Sequence, residues 1–265
     1  MTEVLMCTPD YYTVSYKINP WMNPGRKPNE AAASAQWRRL YEKLQELGIK
    51  ISLLNQVQGL PDMVFTANAG LVFKDDFILA NFRYPQRRPE SACFEAWAET
   101  AGMKVRYLPL DHYFEGEGDA LFFRDMLIAG YRIRSDIQSH VHISSIIERE
   151  VLSVELVNPD FYHLDTCFSP LDDTTALFFP DAFDSYGKKV LERAVPDLIP
   201  VSEEDARKFC CNAVVEERNI IMNQCSRSLQ KTLRDIGFEL HLLHFDEFIK
   251  AGGSSKCMVL FISRS

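Results

Sequence analysis

The chain has 265 residues, 46% of them hydrophobic and 25% charged, with a formal charge of −8. It is long enough to bury a full core, it has no apolar run that could cross a bilayer, and its acidic balance speaks against a nucleic-acid groove built on bulk electrostatics. A cationic small molecule, by contrast, would be drawn to an acidic cleft. Seven cysteines (Cys7, Cys93, Cys167, Cys210, Cys211, Cys225, Cys257) are odd in number and lack Cys-x-x-Cys spacing, which argues against a disulfide framework or a structural zinc site. The opening Met1–Pro9 has neither a basic region nor a small-residue cleavage site, so a cytoplasmic protein is expected.

In chain order, Met1–Cys7 reads as a strand, Asn29–Leu47 as an amphipathic helix closed by Gly48, and Ile49–Leu54 as a strand. Phe65–Phe73 and Phe77–Phe82 form a strand pair, followed by the helix Glu90–Ala101 and the strand Lys104–Leu108. The next cycle has Ala120–Phe123, Met126–Gly130, a helix Asp136–Arg149 opened by a Ser135/Gln138 capping box, and Leu152–Val157. His163–Pro170, Thr175–Phe179, the helix Phe183–Arg193 and a short return near Leu198 make a third. A fourth runs through Ala213–Glu216, Asn219–Met222, the helix Ser226–Ile236 and Glu239–Leu243, with the tandem Cys210-Cys211 expected as buried strand. A last helical stretch, Asp246–Ala251, stops at glycines before the strand Cys257–Ile262.

Each cycle is strand, strand, helix, strand at a spacing of roughly 40 to 50 residues, the range in which repeats signal propeller-like arrays. The N-terminal unit is one strand short, and Cys257–Ile262 would complete it. Pairing the two ends closes the ring and removes exposed sheet edges. No linker rich in Pro, Gly or Ser divides residues 1–265, so one domain is expected.

Five segments carry more polar groups than strand ends need: Asp62-Met-Val-Phe-Thr-Ala-Asn68, Phe114-Glu115-Gly-Glu117-Gly-Asp119, Tyr131-Arg-Ile-Arg134-Ser, His163-Leu-Asp165-Thr and Gly252-Gly-Ser-Ser-Lys-Cys257-Met. Taken singly, each has a bland reading. Asp62 could cap a turn, the three acids could form a solvated hairpin, His163 could be a structural histidine, and Cys257 a small core residue. Tyr84-Pro-Gln-Arg-Arg-Pro-Glu is either a solvated loop or an anion clamp.

Taken together, the order and spacing of these segments resemble the guanidino-modifying enzymes: arginine deiminases, dimethylarginine dimethylaminohydrolases, amidinotransferases and arginine dihydrolases. The resemblance spans essentially the whole chain and implies the five-unit α/β propeller known as the pentein fold. It is greatest to the arginine dihydrolase domain found at the front of longer cyanobacterial proteins. Asn68 in place of the usual Asp, the opening Tyr16-Lys-Ile-Asn19-Pro-Trp-Met-Asn23-Pro, and the form Phe-Glu-Gly-Glu-Gly-Asp all point there.

The resemblance implies that Cys257 attacks the guanidino carbon, that His163 protonates the leaving ammonia and then activates water, and that a covalent thiouronium intermediate links the two steps. Either Glu115 or Glu117 could be the catalytic carboxylate. Glu115 is preferred, because the dihydrolase pattern places its acid directly after the aromatic residue. Asp165 would orient the imidazole or hold substrate, and Asp62, Glu117 and Asp119 are further substrate-binding candidates. Arg87 and Arg134 match positions that bind the substrate carboxylate, for which a forked guanidinium suits better than an ammonium. Asn19 and the carbonyls of the Leu60–Asp62 loop would take the amine end.

Asn68 can both accept and donate. It could therefore keep a citrulline-like ureido group bound for a second attack, giving ornithine, two ammonia and carbon dioxide from free L-arginine. Deiminase or dimethylaminohydrolase activity ending at citrulline, and a non-catalytic arginine sensor, are the alternatives. No metal or other cofactor is expected, since the thiol mechanism already uses the acids and the histidine. A homo-oligomer is compatible with the sequence, which fixes no assembly state.

Overall fold

In the computed structural model, which describes residues 1–264, the strands form five three-stranded sheets. The first joins β1 (Glu3–Cys7) to β2 (Lys50–Leu54) on one side and to the last strand, β15 (Leu260–Ser263), on the other. The others are β3 (Gly70–Phe73), β4 (Asp76–Leu79) and β5 (Lys104–Arg106); β6 (Ala120–Phe123), β7 (Met126–Tyr131) and β8 (Val151–Glu155); β9 (Phe168–Pro170), β10 (Thr175–Phe178) and β11 (Asp197–Pro200); and β12 (Val214–Glu216), β13 (Asn219–Met222) and β14 (Glu239–Leu242).

In every sheet the middle strand pairs antiparallel with one neighbour and parallel with the other. A parallel pair needs a crossover, and a helix supplies it each time. These are α1 (Glu30–Glu46), α2 (Glu90–Thr100), α3 (Ile137–Ile147), α4 (Ser185–Ala194) and, after a one-turn α5 (Glu203–Arg207) that the periodicity does not reveal, α6 (Arg227–Asp235). The short α7 is Asp246–Ile249 and ends before the expected Ala251. Ring closure follows from β1 lying against β15, with Glu3 opposite Ser263 and Leu5 opposite Leu260. The fold is the five-unit α/β propeller.

Local chemistry sets the element ends. Asn29, Asp184, Ser202 and Ser226 each cap a helix by accepting from a first-turn backbone N–H. The expected capping box at Ser135 does not form: α3 starts after Asp136 with no side-chain cap bond. Ser135 instead donates to Asp119 (2.6 Å) and accepts from the Glu115 N–H (3.0 Å), drawn by a buried acid that needs a donor.

The largest departures from the sequence reading lie near the axis, where four buried segments turn before their strands begin. Phe65–Ala69, Gly116–Gly118, Leu164–Thr166 and Lys256–Met258 form 3₁₀ turns or their caps. The expected strands Phe65–Phe73 and His163–Pro170 therefore shrink to β3 and β9, and Cys257 lies three residues before β15 rather than in it. The tandem Cys210-Cys211 is buried but turned, just ahead of β12.

Candidate active site

The nucleophile candidate is held by a loop packed from several sides. Gly253 is tight against Phe65, whose ring would lie 2.5 Å from any added Cβ. Ser255 donates to the carbonyls of Asn212 (2.7 Å) and Ile221 (3.1 Å), and Lys256 donates to Glu117 (2.7 Å) and the Val259 carbonyl (2.9 Å). Cys257 is 3% exposed. Its thiol donates to Asp165 Oδ2 (3.3 Å) and its sulfur accepts from Asn212 Nδ2 (3.1 Å). Burial and the adjacent Asp165 carboxyl push the thiol well above its ordinary value.

A second wall is built on ion pairs. Glu115 is fully buried; its Oε2 accepts from His163 Nε2 and Arg134 Nη1, both at 2.8 Å, and its Oε1 from the Arg83 N–H at 3.2 Å. Burial alone would raise this carboxyl, but the Arg134 guanidinium and the His163 hydrogen bond outweigh it and hold Glu115 below the usual carboxylate range. Arg134 is sandwiched between the rings of Tyr84 and Tyr162, 4.8 and 4.5 Å from their centroids, and donates to the Ile18 carbonyl.

Arg87 forms the third side. It pairs with Glu90 (2.8 Å) and donates to Asn68 Oδ1 (2.7 Å) and the Asp62 carbonyl (3.1 Å). The Tyr84–Glu90 segment is therefore more than a solvated loop: Pro85, Gln86, Arg88 and Pro89 are exposed, while Arg87 and Glu90 are buried. Because the Asn68 oxygen already accepts from Arg87, the Asn68 NH₂ is the end left free.

Asn19, Asp62, Asn68, Arg87, Arg134 and Cys257 all line one small cavity of about 10 Å³, with Tyr162 and Phe65. That is room for about one water. Glu115 and His163 pair immediately behind Arg134, and Asp165 touches the sulfur. Asn19 keeps its amide for the chain: it donates to the Ala251 carbonyl and accepts from the N–H groups of Trp21 and Met22.

Two expected substrate-binding acids are elsewhere. Glu117 points away from the Cys257 cavity, paired with Lys256 and accepting from the Phe261 N–H, and lines a separate cavity of about 240 Å³. The reason is Gly116, at φ +62° with backbone oxygens 2.6 Å from where a Cβ would sit. This turn sends the two glutamates in opposite directions. Asp119 accepts from Ser135 and from the Leu164 N–H (3.1 Å), bracing the acidic loop on the His163 turn, and burial pushes its carboxyl up to about 6.

Five of the seven buried side-chain polar atoms that lack a partner among the described residues belong to this region: Asp62 Oδ1, Asn68 Nδ2, Arg134 Nε, Asp165 Oδ1 and Ser254 Oγ. Buried polar groups are otherwise nearly always satisfied, so such a concentration marks where a polar ligand belongs. The sequence reading missed Asn212, Tyr162 and Glu90. For Asn212 a signal existed: Asn212-Ala213 stands two residues before β12 just as Asn68-Ala69 stands two before β3. No group of three or more His, Cys, Asp or Glu among the described residues could hold a metal ion.

A family model described as N,N dimethylarginine dimethylhydrolase, eukaryotic, matches residues 16–264. The chain belongs to this dimethylarginine dimethylhydrolase family. Within reach of it is an N(G),N(G)-dimethylarginine dimethylaminohydrolase of Mycobacterium tuberculosis, 37% identical over 97% of this chain and 84% of that protein. The bifunctional arginine dihydrolase/ornithine cyclodeaminase ArgZ of Synechocystis sp. is 44% identical over 98% of this chain, which spans only 38% of that longer protein. The crystal structure of the ArgZ N-terminal domain, a cysteine-to-serine variant bound to substrate, superposes with a TM-score of 0.97 at 42% identity, covering 100% of this chain and 99% of that one. This family member has no helix among its described residues long and apolar enough to cross a membrane.

Proposed function

We propose that this chain hydrolyses free L-arginine to ornithine, two ammonia and carbon dioxide through covalent adducts on Cys257. The observation that carries the reading is the set of unpartnered buried atoms around the thiol. Asp62 Oδ1 and Asp165 Oδ1 are free acceptors for a guanidinium, and Asn68 Nδ2 is a free donor beside them. A pure guanidinium site needs only acceptors, because that group only donates. A donor becomes useful once the ligand carries a carbonyl oxygen, as the ureido group of citrulline does.

In this scheme the resting thiol is protonated, and the arriving guanidinium supplies the positive charge that favours thiolate. Sulfur adds to the guanidino carbon, His163 passes a proton to the departing nitrogen, and ammonia leaves a thiouronium adduct. Water, deprotonated by His163, then displaces the sulfur and leaves citrulline. In the second round Asn68 holds the ureido oxygen while sulfur displaces a second ammonia to give a thiocarbamate. A second water releases a carbamate that falls apart to ornithine and carbon dioxide. Glu115 keeps the imidazole oriented throughout, and Arg134 and Arg87 take the substrate carboxylate. Since the resting cavity admits only about one water, the side chains that line it must part as substrate enters.

The ArgZ likeness over nearly the whole of that protein's N-terminal domain supports this reading. The cytoplasmic setting belongs to the same proposal, supported by seven free cysteines, as does the treatment of residues 1–265 as one domain, supported by the pairing of β1 with β15. The family model favours a second reading, hydrolysis of Nω,Nω-dimethylarginine. Replacing Asn68 with Asp tests the first: the variant should accumulate citrulline, whereas an unchanged ornithine yield would remove Asn68 from the second round. Turnover of the dimethylated substrate in preference to arginine would favour the second reading.

A further inference from the structure

We propose that Asn212 is a catalytic residue whose side-chain amide fixes the Cys257 sulfur in attacking position and donates to it as negative charge builds there. Asn212 is fully buried and lies outside every segment that marks the site in the sequence. Its Oδ1 accepts from the Cys257 N–H (3.2 Å), and its Nδ2 donates to both the Cys257 sulfur (3.1 Å) and the Asp165 carbonyl (3.1 Å). Both hydrogens of the amide are thus committed. Its orientation is forced, because a flipped amide would set NH₂ against the Cys257 N–H and oxygen against both the sulfur and the Asp165 carbonyl.

The backbone of the same residue locks the loop as well, since its carbonyl accepts from the Ser255 hydroxyl at 2.7 Å. The turn carrying Asn212 belongs to the β12 sheet, Asp165 precedes β9, and Cys257 precedes β15. One amide therefore ties three of the five units together at the nucleophile.

The other side-chain group within hydrogen-bond distance of the sulfur is the Asp165 carboxyl, which as an anion repels a thiolate. Asn212 is neutral and donates, so it stabilises the charged sulfur without competing for the incoming cation. This inference rests on Cys257 being the nucleophile. In a two-round reaction the sulfur leaves as thiolate twice, so the donor acts at each departure as well as at each attack.

The test uses the full chain with Asn212→Ala, which removes the donor without adding a charge, and Asn212→Leu, which keeps the approximate size and carries the same prediction if the smaller variant does not fold. Thermal melts establish folding. Peptide-resolved mass spectrometry then gives the pH at which Cys257 is half-alkylated by iodoacetamide, separated from the other six cysteines. The expected result is a rise of about one pH unit in that midpoint and a fall of about tenfold or more in kcat for L-arginine, with KM near the wild-type value. A folded variant with an unshifted midpoint, or a loss confined to KM, overturns the proposal. If the midpoint shifts although wild-type protein turns over no arginine, the role at sulfur stands and the substrate reading fails.

Discussion

Glu115 and Asp165 are both fully buried acids of the same site, yet their surroundings drive them in opposite directions. Glu115 receives a guanidinium and an imidazole at 2.8 Å and is held as a carboxylate. Asp165 touches a thiol and leaves one oxygen unpartnered. Burial pushes its carboxyl up to about 7, and the Lys256 ammonium, itself committed to Glu117, only partly opposes that. Burial is common to both acids, so the difference comes from whether a cation is in contact. One wall of the site is complete without substrate, while the other is finished only when a cationic ligand arrives.

Breaking the complete wall should have the largest effect. Glu115→Gln leaves the buried Arg134 without its counter-charge and should cost about 3–5 kcal/mol in denaturant unfolding, along with activity. The Glu115 carboxyl lies low in the folded state, so its contribution is present above the ordinary glutamate value and fades as pH falls through its depressed folded value. Wild type and variant should therefore converge in acid. Equal stability at pH 7 would mean that the Arg134 pair contributes nothing.

The incomplete wall should respond with the opposite sign. Asp165 takes up a proton near 7 when folded and near 3.9 when unfolded, so between those limits the native state binds more protons and stability falls as pH rises. Asp165→Asn should abolish turnover but stabilise the fold at pH 8 by up to about 4 kcal/mol, with little difference at pH 4. Urea titrations at the two pH values decide it, and a variant no more stable at pH 8 contradicts the picture of a wall awaiting its cation.

A smaller change sharpens the comparison from between the walls. A Cβ on Gly118 would lie 2.2 Å from Asn68 Nδ2 and 3.3 Å from His163 Nδ1. Gly118→Ala should cost about 1–3 kcal/mol as the amide is displaced and should raise the share of citrulline among the products. Chromatography of an arginine digest would show it; an unaltered product ratio would separate Asn68 placement from product choice.

Much of the fold is legible in the sequence because apolar runs and helix signals alternate in step. Ala120–Phe123 and Asn219–Met222 occupy their expected strand ranges. The turns at the axis were not legible. Phe65–Ala69 and His163–Cys167 are as buried as strands because neighbouring units cover them, while their backbones make 3₁₀ bonds instead of ladder bonds. The same limit applies to the acids: composition cannot say that Gly116 turns Glu115 toward His163 and Glu117 toward Lys256. Asn212 escaped notice because it follows two cysteines in an apolar stretch, and only aligning the repeats on Asn68 brings it forward.

The central claim is that one thiol works twice on one guanidino group, and counting products tests it most directly. Purified protein incubated with L-arginine, with Cys257→Ser as control, should yield two ammonia and one ornithine per arginine consumed, and the control none. Citrulline accumulating with one ammonia per arginine would contradict the second attack and with it the role given to Asn68.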